Sequence, residues 1–189
     1  MFKYVLIIIF LVFNFSYTNS INAQENNTQI SDSEETNFFH KSPRLVRAIT
    51  TYTLTNVNSS YIFEIEIPKE AKANLQTIVI NQQKNVEIIN LFPEKTQAFI
   101  INGKEQEILV NTTLNTDNDQ NILTINLTQP VPAGYKVRIK VRSKNPLYSG
   151  VYQFGVTVFP QSNQLNAVNN NSLYLGIGRF NFYRSGGMY

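Results

Sequence analysis

From Phe38 to Tyr183 the chain runs in short stretches of β-branched and aromatic residues cut off by Pro, Gly, Asn and Ser, and none sustains a helical period. Such a chain is confined to antiparallel sheets, because its runs are too short for crossover helices and its breaks are turns. Residues 48–55 and 61–67 read as a first hairpin. In the second run Tyr61, Phe63, Ile65 and Ile67 share one face while Glu64 and Glu66 share the other, so one side is dry and one wet. Pro68 closes that run, 69–74 can take a helical turn, 75–81 forms a third strand, and a weaker fourth lies near 86–91. Asn102-Gly103, between 97–101 and 105–110, is the strongest hairpin signal, since a type I′ turn demands positive φ at both central positions. Later strands at 122–127, 135–142, 151–159 and 173–183 are divided by Pro130-Val131-Pro132-Ala133-Gly134, by Asn145-Pro146 with Ser149-Gly150, and by an Asn-rich loop through Asn170. The expected fold is all-β: an antiparallel β-sandwich, immunoglobulin-like, of eight or nine short strands. A membrane barrel is disfavoured because Ser185-Gly186-Gly187 breaks what would be its closing strand.

The start of the chain addresses its compartment. Lys3 precedes an apolar run from Tyr4 to Phe13, a polar stretch follows to Asn22, and Ala23 is placed for cleavage before Gln24. Residues 1–23 therefore read as a signal peptide, with an uncleaved anchor as the other reading; the run is short for a permanent span, so no stable membrane span is expected after cleavage. Residues 24–37 form an acidic, flexible leader, 38–184 the sandwich domain, and 185–189 a loose tail. Without Lys3 the chain has 15 basic against 13 acidic side chains, and setting aside Glu25, Asp32, Glu34 and Glu35 of the leader leaves 15 against 9. The domain is thus basic, which favours anionic partners and serves solubility equally well.

Cysteine is absent and His40 is the sole histidine. Disulfides, thiolate metal sites, thiol nucleophiles and multi-histidine metal centres are excluded, and a serine triad would rest on one base at the domain entrance. No cofactor is expected, and no enzyme activity. Glu64 with Glu66, and Glu105 with Glu107, are i,i+2 pairs on one strand face, whereas glycosidase carboxylates meet across a cleft. Asp117, Asp119 and Asn121 start like a calcium loop, but Ile122 and Thr128 stand where an EF-hand needs Gly and a bidentate Glu, which leaves a polar turn or a weak surface site. Gly176-Ile177-Gly178-Arg179 lacks the Lys-Ser/Thr ending of a phosphate loop and reads as relief of crowding in a strand.

The most distinctive pattern is Lys136, Arg138, Lys140, Arg142 and Lys144, interleaved with Val137, Ile139 and Val141. On a strand all five cations project from one face, about 6.5–7 Å apart, and such a row can track a polyanion. Equally it can be a solvated face, a lysine-guarded edge, or a partner of Glu64 and Glu66. Nucleic acid is not an expected partner, because the chain is addressed out of the cytoplasm and the row lacks interleaved stacking aromatics.

Several words of this sequence resemble a known family: Ser42-Pro43-Arg44-Leu45-Val46, Pro130-Val131-Pro132-Ala133-Gly134, Asn145-Pro146, the stretch from Gly150-Val151-Tyr152 through Phe159-Pro160, and Leu175-Gly176-Ile177-Gly178-Arg179-Phe180. Together they resemble a cyanobacterial family of exported proteins, domain of unknown function 2808, over about Phe38 to Tyr183. The resemblance implies a signal peptide, one β-rich domain and a periplasmic or cell-surface home, and supplies no catalytic residue. The expected function is noncatalytic: an envelope protein that binds another envelope protein through its aromatic ends or an anionic polysaccharide through the basic stripe. The alternatives are an envelope-acting hydrolase or metal-dependent enzyme, and a subunit of a surface filament or layer.

Overall fold

Ten strands carry the alternation read above, in a computed structural model that describes residues 38–117, 120–162 and 171–186. They are β1 (Arg44–Thr50), β2 (Asn58–Glu66), β3 (Leu75–Gln82), β4 (Asn90–Asn102), β5 (Lys104–Ile108), β6 (Val110–Asp117), β7 (Gln120–Val131), β8 (Lys136–Lys144), β9 (Gly150–Pro160) and β10 (Leu173–Phe182). A single 3₁₀ turn, Lys69–Ala71, follows Pro68 as expected. The expected signal peptide, the leader, Asp119, Asn170 and Gly187 lie outside the described residues.

Two five-stranded antiparallel sheets face each other, one in the order β1-β2-β8-β4-β5, the other β10-β9-β3-β7-β6. Lettering β1, β2, β3 and β4 as A to D, and β8, β9 and β10 as E to G, gives A-B-E-D in one sheet and G-F-C in the other. This is the strand order of an immunoglobulin constant-type sandwich, enlarged by β5, β6 and β7 between D and E. The expected fold class holds, with ten strands where eight or nine were expected.

Several strands start earlier or run longer than the sequence reading, as β1 does from Arg44 and β7 from Gln120 to Val131, and four further differences have a physical reason. The first strand ends at Thr50, not residue 55, because Leu54 leaves β2 for a parallel bridge to Tyr183 beyond β10. Residues 86–89 are not a strand: Gln82 takes the place of a ladder partner, donating from Nε2 to Glu87 O at 2.9 Å and accepting from Ile89 N at 3.0 Å. The run 105–110 divides at Leu109, where the chain passes from β5 in one sheet to β6 in the other. The Asn102-Gly103 hairpin forms, but Asn102 faces Lys104 and, of these residues, only Gly103 has positive φ (71°), so the turn is not type I′.

Between the sheets lies an aromatic cluster at the place where many exported sandwiches carry a disulfide between strands B and F. Tyr61 stacks on Phe180 at 4.9 Å, and Phe154 meets Phe180 and Phe63 edge-on at 5.4 and 6.2 Å. Each such pair adds about 0.5–1.5 kcal/mol beyond its buried area, so three or four together match the ~2–4 kcal/mol typical of one disulfide. A cysteine-free sandwich thus draws on ring packing for what a staple supplies elsewhere. Tyr152 at the start of β9 is buried and donates from its hydroxyl to Tyr148 O at 3.2 Å, the tyrosine-corner arrangement of this fold.

Candidate functional site

β8 runs through the middle of its sheet, between β2 and β4, so the basic row lies on the open face of a central strand rather than on an edge. Val137, Ile139 and Val141 point into the core and are buried, which fixes the five cations outward. The row divides into two halves with different neighbours.

At one half the register sets Glu66 opposite Lys136 and Glu64 opposite Arg138. Arg138 is bound to Glu64 at 2.7 Å and also to Glu105 of β5, while Lys136 stands 4.0 Å from Glu66. Arg47 and Arg44 of β1 reach the same two glutamates at 3.5 and 2.5 Å. Partial burial disfavours the Arg138 charge, but Glu64 and Glu105 outweigh it and raise its pKa above the ordinary arginine value. This half is an internal ion-pair network across four strands.

At the other half, Lys140, Arg142 and Lys144 face Ile62, Ser60 and Asn58 of β2 and make no ion pair among the described residues. Arg142 donates from Nη1 to Ser60 Oγ at 3.1 Å, which orients its guanidinium and leaves further donors uncommitted. Here β4 is irregular: pairing with β8 breaks between Phe92 and Gln97, and the intervening Pro93, which cannot donate to a ladder, starts a bulge. The bulge leaves an open hollow of about 460 Å³ lined by Glu94, Lys95, Thr96, Gln97, Lys140 and Arg142. Lys95 is held with its ammonium 5.3 Å from the Phe92 ring centroid. Three cations and one carboxylate meet at this hollow. Lys144 belongs to a smaller hollow of about 210 Å³ with Glu87, Asn90 and Asn145. Sequence reading missed Lys95; its signal is Pro93 inside a strand-forming run.

The other candidates are engaged structurally. Glu64, Glu66 and Glu105 serve the network above, and Glu107 accepts a hydrogen bond from Gln97 Nε2 at 3.0 Å. The His40 ring stacks on Phe38 at 4.6 Å, and its backbone N–H donates to Ala71 O. Asn121 is buried, donates to Ile89 O at 2.6 Å and accepts from Thr116 Oγ1 at 3.0 Å, so its amide is turned away from a surface loop that Asp117 could share. Among the described residues there is no group of three or more Asp, Glu or His that could hold a metal. Gly176 takes φ 117° at a register shift in β10, and a Cβ on Gly178 would stand 2.7 Å from that of Ala48, so these glycines serve backbone shape and close packing.

At the end of the sandwich where β1 and β10 finish, Tyr52, Leu54, Val86, Leu147, Tyr148 and Tyr183 are 46–74% exposed. Their loops are tied together: Thr55 N donates to Tyr183 O, Asn56 N to Pro146 O, and Tyr148 N to Glu87 Oε1 at 2.9 Å. Asn145, buried, binds Tyr52 O and Leu54 O through Nδ2 and accepts from Tyr61 Oη at 3.1 Å.

The sequence profile of a family described as "Protein of unknown function (DUF2808)" matches residues 36–182. No curated protein matches the chain in sequence. Among solved structures, the chain is similar to ACE19, the collagen binding subdomain of the Enterococcus faecalis surface protein ACE, with 8% identity, a TM-score of 0.43, and 71% of this chain and 94% of that one covered. It is similar to the collagen-binding domain from a Staphylococcus aureus adhesin with 11% identity, a TM-score of 0.38, and 68% of this chain and 91% of that one covered.

Proposed function

The chain belongs to the family of proteins of unknown function DUF2808, and from that premise we propose that it is an exported, noncatalytic domain of the cell envelope that holds an anionic glycan on the unpaired half of its basic strand. One observation carries the reading: Lys140, Arg142 and Lys95 meet at an open hollow whose one acidic lining residue is Glu94. Two or three cations within reach of one another suit a carboxylate, sulfate or phosphate group, with the amide oxygen of Gln97, whose nitrogen is held by Glu107, placed to accept from a neighbouring hydroxyl. Sole His40 stacked on Phe38, and carboxylates committed to arginines, support binding over catalysis. The amino-terminal pattern supports export to the periplasm or surface, and the sequence resemblance supports a cyanobacterial source.

The test is retention on immobilised alginate as salt is raised. The protein is expected to elute at progressively lower salt as Lys140→Gln and Arg142→Gln are introduced and combined, while Lys136→Gln, whose charge already faces Glu66, has little effect. Equal retention of the double variant and the unmodified protein would overturn the proposal.

A second reading, a protein partner, is favoured by the exposed apolar end around Tyr52 and Tyr148. If that end is the working surface, Tyr148→Glu abolishes crosslinking to an envelope protein that Arg142→Gln leaves intact.

A further inference from the structure

The open face of the second sheet has the opposite character from the β8 face. Register sets Thr113, Thr124, Val79, Thr157 and Tyr174 side by side across β6, β7, β3, β9 and β10. The next row holds Asn115, Ile122, Asn81, Gly155 and Ile177, and on the other side Asn111, Asn126, Thr77 and Phe159 form a third. No position in these three rows bears a charge. The first charged residues, Asp117 and Arg179, stand at opposite ends of the following row. Strand spacing places the rows about 7 Å apart and neighbours within a row about 4.8 Å apart, so the face is a regular lattice of hydroxyl, amide and methyl groups.

Two aromatic residues, Phe159 and Tyr174, stand in these rows, and Tyr174 is seated in a dent of the lattice. Gly155 has no side chain, and a Cβ built there would stand 3.1 Å from Tyr174 Cε2, 3.4 Å from Tyr174 Oη and 3.2 Å from Gln83 Nε2. Tyr174 therefore leans from β10 across β9, with one ring edge and its hydroxyl resting in the dent that Gly155 leaves, and it remains 56% exposed.

We infer that this face binds an uncharged polysaccharide, separately from the anionic site on the first sheet. Absence of charge excludes selection of acidic or basic partners. Thr and Asn side chains offer donors and acceptors together, which matches hydroxyls that are both. The open face of Tyr174 supplies an apolar platform for the C–H face of a sugar ring, with Val79, Ile122 and Ile177 continuing that surface. A protein partner, or a second copy, needs a more apolar centre than these Asn- and Thr-rich rows provide.

Electrophoresis of the full chain through gels containing hydroxyethyl cellulose, soluble starch or galactomannan tests this. Retardation is expected with at least one of the three and is expected to persist in 1 M salt. Tyr174→Ala and, independently, Thr124→Lys are expected to weaken association about tenfold, and Tyr174→Ala to leave alginate retention unchanged. Loss of alginate retention in Lys140→Gln/Arg142→Gln with neutral-glycan binding intact would separate the two sites. Failure of all three glycans to retard the protein, or retardation of both face variants equal to that of the unmodified protein, overturns the inference. So does concentration-dependent self-association that Thr124→Lys abolishes, which would give the face to a second copy.

Discussion

Asn145 shows how one residue can tie several elements. Its amide oxygen accepts from Tyr61 Oη, and its nitrogen donates to two carbonyls of the segment after β1. Replacing it with Ala leaves the buried Tyr61 phenol without its acceptor and takes a donor from the Tyr52 and Leu54 carbonyls, and Asn145→Ala is expected to cost about 2–3 kcal/mol in urea unfolding. Burial pushes the phenols of Tyr61 and Tyr152 well above their ordinary value, Tyr152 with added effect from the Glu87 carboxylate. The sign follows directly: in the unfolded chain both phenols ionise near pH 10, in the folded one they do not, so their contribution is whole below pH 10 and is lost as pH rises beyond it. Alkaline titration should therefore show two tyrosines ionising only with unfolding, read as phenolate absorbance rising together with loss of the far-ultraviolet β signal. At this scale the sequence was legible for alternation and opaque for capping: Asn145 before Pro146 reads as a turn residue, and nothing local tells that its side chain is buried against β2 and the segment after β1.

Among elements, β8 explains the basic row. Alternation made the shared face legible, but which strands flank it depends on pairings between residues more than 70 apart, such as Glu64 with Arg138. Those pairings turn half of the row into structure. Arg138→Gln leaves Glu64, whose side chain is 12% exposed, with the longer Arg47 contact alone, and is expected to destabilise by about 1–2 kcal/mol. Lys136→Gln, at a 4.0 Å contact, is expected to cost under about 0.5 kcal/mol. Thermal unfolding of the two variants decides it; equal losses would contradict the division of the row. The turn at Gly103 belongs here too. A Cβ there meets nothing within 4 Å, so Gly103→Ala is opposed by its φ of 71° alone and is expected to cost about 1 kcal/mol. The splitting of 105–110 was not legible, because the polar Asn and Thr of β6 suit an edge strand but carry little of the hydrophobic pattern by which strands are recognised.

For the whole molecule, the A-B-E-D and G-F-C order makes β5, β6 and β7 an insertion that widens both sheets. It adds the Glu105 end of the ion-pair network to one face and the Asn/Thr rows to the other. The sandwich can do without a disulfide because rings from β2, β9 and β10 interlock at its centre, and close approach at Gly178 is part of that fit. A methyl there would meet Ala48 and the Phe63 ring at 2.7 and 3.2 Å, so Gly178→Ala is expected to lower stability by about 1–3 kcal/mol, measured by urea unfolding, while Gly186→Ala, with open space around it, is expected to be silent. The sandwich presents a charged face and a neutral face on opposite sides. On the proposed function, the anionic ligand sits at the bulge of β4. Backbone amide shifts of the isotope-labelled protein, followed as a uronic acid hexamer is added at low salt, test it most directly. Perturbations are expected to centre on Lys95, Gln97, Lys140 and Arg142 and to vanish in Lys140→Gln/Arg142→Gln; no perturbation there, or one centred on the Glu64–Arg138 half, would contradict the anionic site.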